Sequence, residues 1–213
     1  MNGTQTFWEV IGNYNSQTGM MQTGVFVLIT LGILLSYLGK VKWVAKFSLG
    51  IANLFIGVAF YVCYGTEPIQ KYFALPLFMI SGILFLYESY RNKEDKLEKP
   101  NFFQMILLIL YLLYPLVSVL FGGKFPQMAT YIMPCPIISL SMVVYAGYRK
   151  KNKLLLALLT IWGLTGVKSM MFHVYEDIIL LICGIYGVVL LRNEFRQQKV
   201  KESMTVEEKM KNE

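Results

Sequence analysis

Long apolar runs alternate with short polar stretches from Met20 to Leu191, and the length of each run selects what it forms. A helix needs about 20 mostly apolar residues to cross the hydrocarbon of a bilayer. Runs of that kind are predicted at 20–38, 44–63, 72–87, 102–120, 131–148, 154–172 and 174–191. None shows the period-two alternation of barrel strands, and in lipid a helix satisfies its own backbone. The expected fold is therefore an all-α integral membrane protein, a bundle of about seven transmembrane helices spanning 20–191.

The flanks differ from this core. In residues 1–19, Thr6 and Glu9 have capping-box spacing, while Phe7, Ile11 and Tyr14 fall on one helical face. An outer N-terminal segment is expected there, either a short helix in the interface or a polar leader. Residues 192–213 turn polar, and Thr205 with Glu208 repeats the capping-box spacing. A solvated cytoplasmic tail is expected. No internal repeat is evident, so an inverted-repeat architecture is not inferred.

Charge supplies the orientation. Of the 20 Lys and Arg residues, 17 fall in alternate connections: Lys40, Lys42 and Lys46; Arg91, Lys93, Lys96 and Lys99; Arg149, Lys150, Lys151 and Lys153; and six from Arg192 to Lys211. Only Lys71, Lys124 and Lys168 fall on the other side. Because short cytoplasmic loops are enriched in Lys and Arg, the N-terminus is expected outside and the C-terminus in the cytoplasm. A six-span arrangement, with the last two runs as a re-entrant hairpin, would spoil this pattern. The net charge of +7 is thus a topology signal; no extended basic face with interleaved aromatics invites nucleic acid. A chain that is 55% hydrophobic and only 15% charged, with mean hydropathy +0.50, takes lipid as its solvent. The first 19 residues hold no Lys or Arg and no apolar stretch ending in a cleavage site, so the first span is expected to be retained.

Candidate chemistry follows from a shortage of apolar length in the last three spans. The stretches 137–148, 154–167 and 178–191 contain 12, 14 and 14 residues. At 1.5 Å per residue they reach roughly 18–21 Å, against about 30 Å of hydrocarbon. Polar groups must then lie at membrane depth: Pro134-Cys135-Pro136, Lys168, and His173 with Glu176 and Asp177. Intramembrane ionisable residues face a cavity or a partner. An outward-open vestibule between spans four and seven is expected, with Tyr114, Lys124, Cys135, Trp162, Lys168, His173, Glu176 and Asp177 as ligand-binding candidates. The competing structural reading has the two acids complementing a helix dipole, with Lys168 pairing across the turn.

Other residues narrow the chemistry. His173 is the single histidine, which excludes bis-histidine haem and a multi-histidine metal centre within one chain. Cys63, Cys135 and Cys183 are too scattered for a disulfide framework, although Cys63 and Cys135 share the outer level. Pro115 is expected to kink span four and free a carbonyl. Asn53, and Ser48 with Ala52, are expected at helix contacts, and Glu88 is placed beside Arg91. No catalytic residue, metal or cofactor is assigned: the paired-histidine metalloprotease and Gly-x-Ser-x-Gly motifs are missing, and span seven has no lysine for retinal.

Five elements in order carry a resemblance: Tyr14-Asn15 with Gln22; Tyr114-Pro115; Gly122-Gly123-Lys124-Phe125-Pro126; Pro134-Cys135-Pro136; and Glu176-Asp177. Over nearly the whole chain they resemble a family of uncharacterised bacterial multi-pass membrane proteins, a domain of unknown function sometimes labelled transporter permease. The family pattern has a Trp-Pro pair before the Gln, a histidine at position 123 and a threonine after Pro-Cys-Pro. This chain has Gly19-Met20, Gly123 and Ile137 instead. The resemblance implies a multi-pass protein of a bacterial inner membrane and supplies no reaction.

Three classes of function fit. The first is binding or transport of a small polar solute or ion through the vestibule, with a homo-oligomer as one way to offset the small size. The second is a sensor or structural subunit of a membrane complex. The third is a membrane enzyme using Glu176 or Asp177 as acid or base.

Overall fold

In the computed structural model, residues 3–66, 68, 70–171 and 174–211 are described. Among them the chain is all-helical, and its only β pairings are isolated bridges at Leu97–Tyr148 and Lys124–Gln127. The helices are α1 (Gly3–Tyr37), α2 (Val44–Phe55), α3 (Leu75–Arg91), α4 (Phe102–Leu120), α5 (Pro134–Ala146), α6 (Lys153–Leu164), α7 (Gly166–Met171) and α8 (Ile178–Lys211). Wider π-helical turns extend α2 through Ile56–Val62 and lead into α3 at Gln70–Ala74. A single 3₁₀ turn, Tyr175–Asp177, opens α8.

Among the described residues, five helices are long and apolar enough to cross a membrane: Phe7–Tyr37, Val44–Val62, Lys71–Arg91, Phe102–Leu120 and Tyr175–Gln198. Their outer faces carry Val27, Leu31 and Leu34, Ile109, Leu112 and Leu116, and Ile185, Val188 and Val189, all exposed. Apolar surface on this scale suggests contact with lipid. The fifth and sixth predicted runs form short helices, α5 of 13 residues and α6 of 12. For the seventh, the apolar run remains 178–191, but the helical segment around it, Tyr175–Gln198, is 24 residues and long enough to cross.

Two boundaries differ from expectation. No break separates an outer segment from the first span: Thr6 and Glu9 lie inside α1, whose 35 residues reach about 52 Å. Ile11 and Tyr14 are buried against the bundle. The spacing at Thr205–Glu208 starts no new helix either, since α8 runs through it. In both places an apolar or helix-favouring neighbour carries the helix past a local start signal.

The centre of the molecule is α5. Every residue from Pro136 to Ala146 is buried, with α2, α4, α6 and α8 packed around it. Met133 is the extended N-cap, and Pro134 and Pro136 occupy the first turn, where a missing N–H costs nothing. α6 and α8 form an antiparallel hairpin whose backbones touch at Gly163 and Gly184. Any Cβ on Gly184 would lie 2.6 Å from the Leu164 amide nitrogen. Small residues at a helix contact permit that approach. Asn53 meets the expectation of a helix contact: its side chain donates to Ser141 Oγ on α5 at 3.2 Å.

One end of the bundle is laced by charge. Lys42 pairs with Glu94 at 2.6 Å, which holds that carboxyl below its usual range, and Arg149 pairs with Glu98 at 2.5 Å. Lys46, 0% exposed, lies 3.3 Å from Asp95 and 3.7 Å from Glu88, with its ammonium 4.2 Å from the centre of the Tyr148 ring. Glu88 therefore serves Lys46 and accepts from Asn92 at 2.6 Å; Arg91, its expected partner, contacts Tyr87 instead. The loop 92–101 folds back over the end of α2, which sequence spacing could not indicate.

Candidate functional site

At the other end, the connections after α4 and α7 bring two acids under cover. Asp177 is 3% exposed and Glu176 2%. Tyr114 Oη donates to Asp177 Oδ1 at 2.6 Å, and the Cys135 thiol donates to Oδ2 at 3.2 Å. The Ser169 hydroxyl lies beside the same carboxylate. Ser118 Oγ donates to Glu176 Oε1 at 2.7 Å and accepts the Ala129 amide at 3.0 Å. Three helices and one turn thus contribute: α4 through Tyr114 and Ser118, α5 through Cys135, α7 through Ser169, and the turn before α8 through the acids.

Among the described residues, no Lys or Arg pairs with either acid. Lys168 and Lys124 are both exposed, so the expected pairing of Lys168 across the turn is not formed. His173 lies outside the described residues. Among the described residues the carboxylates are held by neutral donors, an arrangement that leaves them able to meet a cation or a proton.

Trp162 of α6 forms the adjoining wall, packed edge-on to Tyr61 and Phe78 with ring centres 6.0 and 5.1 Å apart. Its indole N–H is buried with no acceptor, and the Cys135 sulfur is a near neighbour. Glu176 and Asp177, expected to line an outward-open vestibule between spans four and seven, are 2% and 3% exposed and so lie covered by the described residues around them. A recess of about 250 Å³ on this end lies elsewhere, against α1, lined by Glu9, Gly12, Asn13, Ser16, Pro126 and Gln127. All three cysteines are free thiols: Cys63 is exposed, Cys135 is engaged with Asp177, and Cys183 is buried.

A strap formed by residues 121–133 closes this end. Tyr14 Oη donates to the Ile132 carbonyl at 2.6 Å, and Asn15 Nδ2 to the carbonyls of Pro126 and Met128 at 2.7 and 2.9 Å. Gln22 Nε2 donates to Asn15 Oδ1 at 3.2 Å, and the Thr130 hydroxyl sits 3.1 Å from Asn15 Oδ1 and 3.0 Å from Gln22 Oε1. The Tyr-Asn and Gln elements of the sequence pattern are therefore the clasp for the Gly-Gly-Lys-Phe-Pro loop. Beyond it, Tyr131 Oη donates at 2.9 Å to the Leu112 carbonyl, one turn before Pro115.

The structure brings together Tyr114, Cys135, Trp162, Glu176 and Asp177, and leaves Lys124 and Lys168 outside. Sequence reasoning missed Ser118, Ser169 and Tyr61. Ser118 was within reach, since it stands four residues after Tyr114 on the same helical face; Tyr61 and Ser169 carried no signal.

No curated protein and no solved structure matches this chain. A family model described as a family of unknown function, DUF6064, matches residues 4–202, nearly the whole chain and all of the clasp, the prolines and the buried acids. The chain belongs to that family.

Proposed function

We propose that this protein binds a small cation or cationic polar solute at Glu176 and Asp177 and passes it across a bacterial plasma membrane. In this reading the bundle has seven spans with the N-terminus outside, in keeping with the basic residues concentrated at the α1–α2, α3–α4 and α5–α6 connections and the C-terminal end. One observation carries it: two adjacent carboxylates, 2% and 3% exposed, are satisfied by hydroxyl and thiol donors and by no Lys or Arg among the described residues. Keeping charge buried without a counter-charge is costly, and an arriving cation offsets that cost.

Access is from the N-terminal end, through movement of the strap that covers Ser118 and Glu176. The covered site corresponds to an occluded state, and the recess against α1 marks where the strap meets solvent.

The test is thermal stability of the protein in nanodiscs against monovalent and divalent cations, amines and small polar solutes, for wild type and Asp177→Asn. A ligand at 100 times its dissociation constant stabilises by about 2.7 kcal/mol. The expected result is a shift for at least one cation in wild type and none in a folded Asp177→Asn. No shift across the panel overturns cation binding and favours a structural subunit of a membrane complex.

A further inference from the structure

At the basic end the fold pairs the cations it draws inward with carboxylates. Lys46 has Asp95 and Glu88, and Lys151, its side chain 11% exposed, pairs with Glu194 at 3.3 Å. Lys153 is left out. Its ammonium is buried without a hydrogen-bond partner and rests 4.5 Å from the centre of the Phe195 ring. Its position adds to the cost, because Lys153 is the first residue of α6, where aligned peptide dipoles leave partial positive charge and disfavour a cation. Asn152 caps the amides of Leu154 and Leu155 but brings no negative charge. The aromatic face offsets part of the deficit, and an anion would offset the rest.

More cations stand beside it. The Lys151–Glu194 pair and the contact of Lys153 with Phe195 lay the start of α6 against residues 194–195 of α8. Arg192 and Arg196 flank that point and, being four residues apart, share one face of α8. Both are exposed, and among the described residues neither is in an ion pair. The same place is apolar on its outer side. Phe195 is 53% exposed and Leu154 56%. One face of α8 continues from Phe195 to exposed Val188, and one face of α6 from Leu154 to exposed Ile161. Cations at the end of a lipid-facing apolar surface match the two parts of one molecule, a phosphate headgroup and the acyl chains attached to it.

We propose that Lys153, Arg192 and Arg196 bind the headgroup phosphate of an anionic phospholipid whose acyl chains lie along the α6–α8 hairpin. The flexible stem of Lys153 lets its ammonium swing out past the half-exposed Phe195 ring to meet the phosphate. The two guanidinium groups present planar forks to the remaining phosphate oxygens. A zwitterionic lipid carries its own ammonium into this cluster and is bound less well, so the site selects lipids of net negative charge. The hairpin closes at the acidic end, through α7 and the turn before α8, and is open at the basic end. A lipid held there ties its two free ends together.

The experiment is the melting temperature of the delipidated full chain in a non-ionic detergent, titrated separately with phosphatidylglycerol, phosphatidylcholine and sodium phosphate. Wild type is compared with Lys153→Gln, with the double variant Arg192→Gln, Arg196→Gln, and with Lys93→Gln, an exposed cation of the α3–α4 connection that reports diffuse attraction. Lys153→Gln breaks no hydrogen bond, and the arginine variant alters only exposed side chains, so a folded variant is at hand if the other fails. The expected result is stabilisation of wild type by phosphatidylglycerol at a concentration at least tenfold below that needed of phosphatidylcholine. That midpoint should rise at least tenfold in Lys153→Gln and in the arginine variant, and stay unchanged in Lys93→Gln. Equal midpoints for the two lipids in wild type overturn the proposal, as does a rise in Lys93→Gln matching that in Lys153→Gln. Stabilisation by sodium phosphate at the concentration effective for phosphatidylglycerol also overturns it, and marks a site for a free anion instead.

Discussion

Removing the Lys46 ammonium while keeping its volume, as in Lys46→Met, tests whether the charge cluster at the basic end holds the bundle together. The nitrogen lies 3.3 Å from Asp95 and 3.7 Å from Glu88, all three side chains being at most 7% exposed. At an effective dielectric of about 20 those separations correspond to attractions of about 5 and 4.5 kcal/mol. The cost of desolvating three charges offsets much of this. Breaking a buried pair by removing one partner nevertheless costs about 3–5 kcal/mol, because the remaining charge is stranded. Here two acids would be stranded, and the cation over the Tyr148 ring is lost as well. With about 2–4 °C per kcal/mol for a chain of this size, the melting temperature should fall by roughly 6–20 °C. Fluorescence-detected size-exclusion melting of detergent-solubilised protein measures it. The triple variant Lys46→Met, Glu88→Gln, Asp95→Asn should recover at least half of the loss, since no charge is then left unpaired. A single Lys46→Met that melts within about 2 °C of wild type would refute the reasoning.

Two further outcomes are expected. Gly184→Ala places a Cβ against the Gly163 and Leu164 backbone, so α6 and α8 must separate; a loss of about 1–3 kcal/mol is expected, seen as a lower melting temperature, whereas Gly19→Ala, with open space around it, should change little. Asn15→Leu removes two bonds to the strap and one acceptor each from Gln22 and Thr130, so amide exchange and protease cleavage within 122–130 should rise while α2 and α3 stay protected. Unchanged exchange in that loop would show that the clasp does not hold it.

Much of the architecture is written in the order of apolar runs. Residues 102–120 form a helix with the bounds the pattern gives, and the short fifth and sixth runs emerge as α5 and α6 because a bilayer makes apolar length a direct structural variable. The chemistry was legible in part for the same reason: Tyr114, Cys135, Glu176 and Asp177 stand out as polar or proline-flanked groups in an apolar setting, and they converge. What sequence could not supply is partnership across distance. Lys46 reads as one more basic residue at a loop, yet it is the buried hub of a cluster with Glu88 and Asp95, 42 and 49 residues away. Lys168 reads as the natural partner of the acids eight and nine residues on, yet it faces outward and serines take its place. Asn15 reads as part of an outer segment and Gln22 as a polar residue early in the first span, and the fold makes them the clasp for a strap more than 100 residues later. Spacing along the chain fixes which face of a helix a residue occupies; which helix meets that face, and whether a loop returns to cover it, is decided only by how the bundle packs.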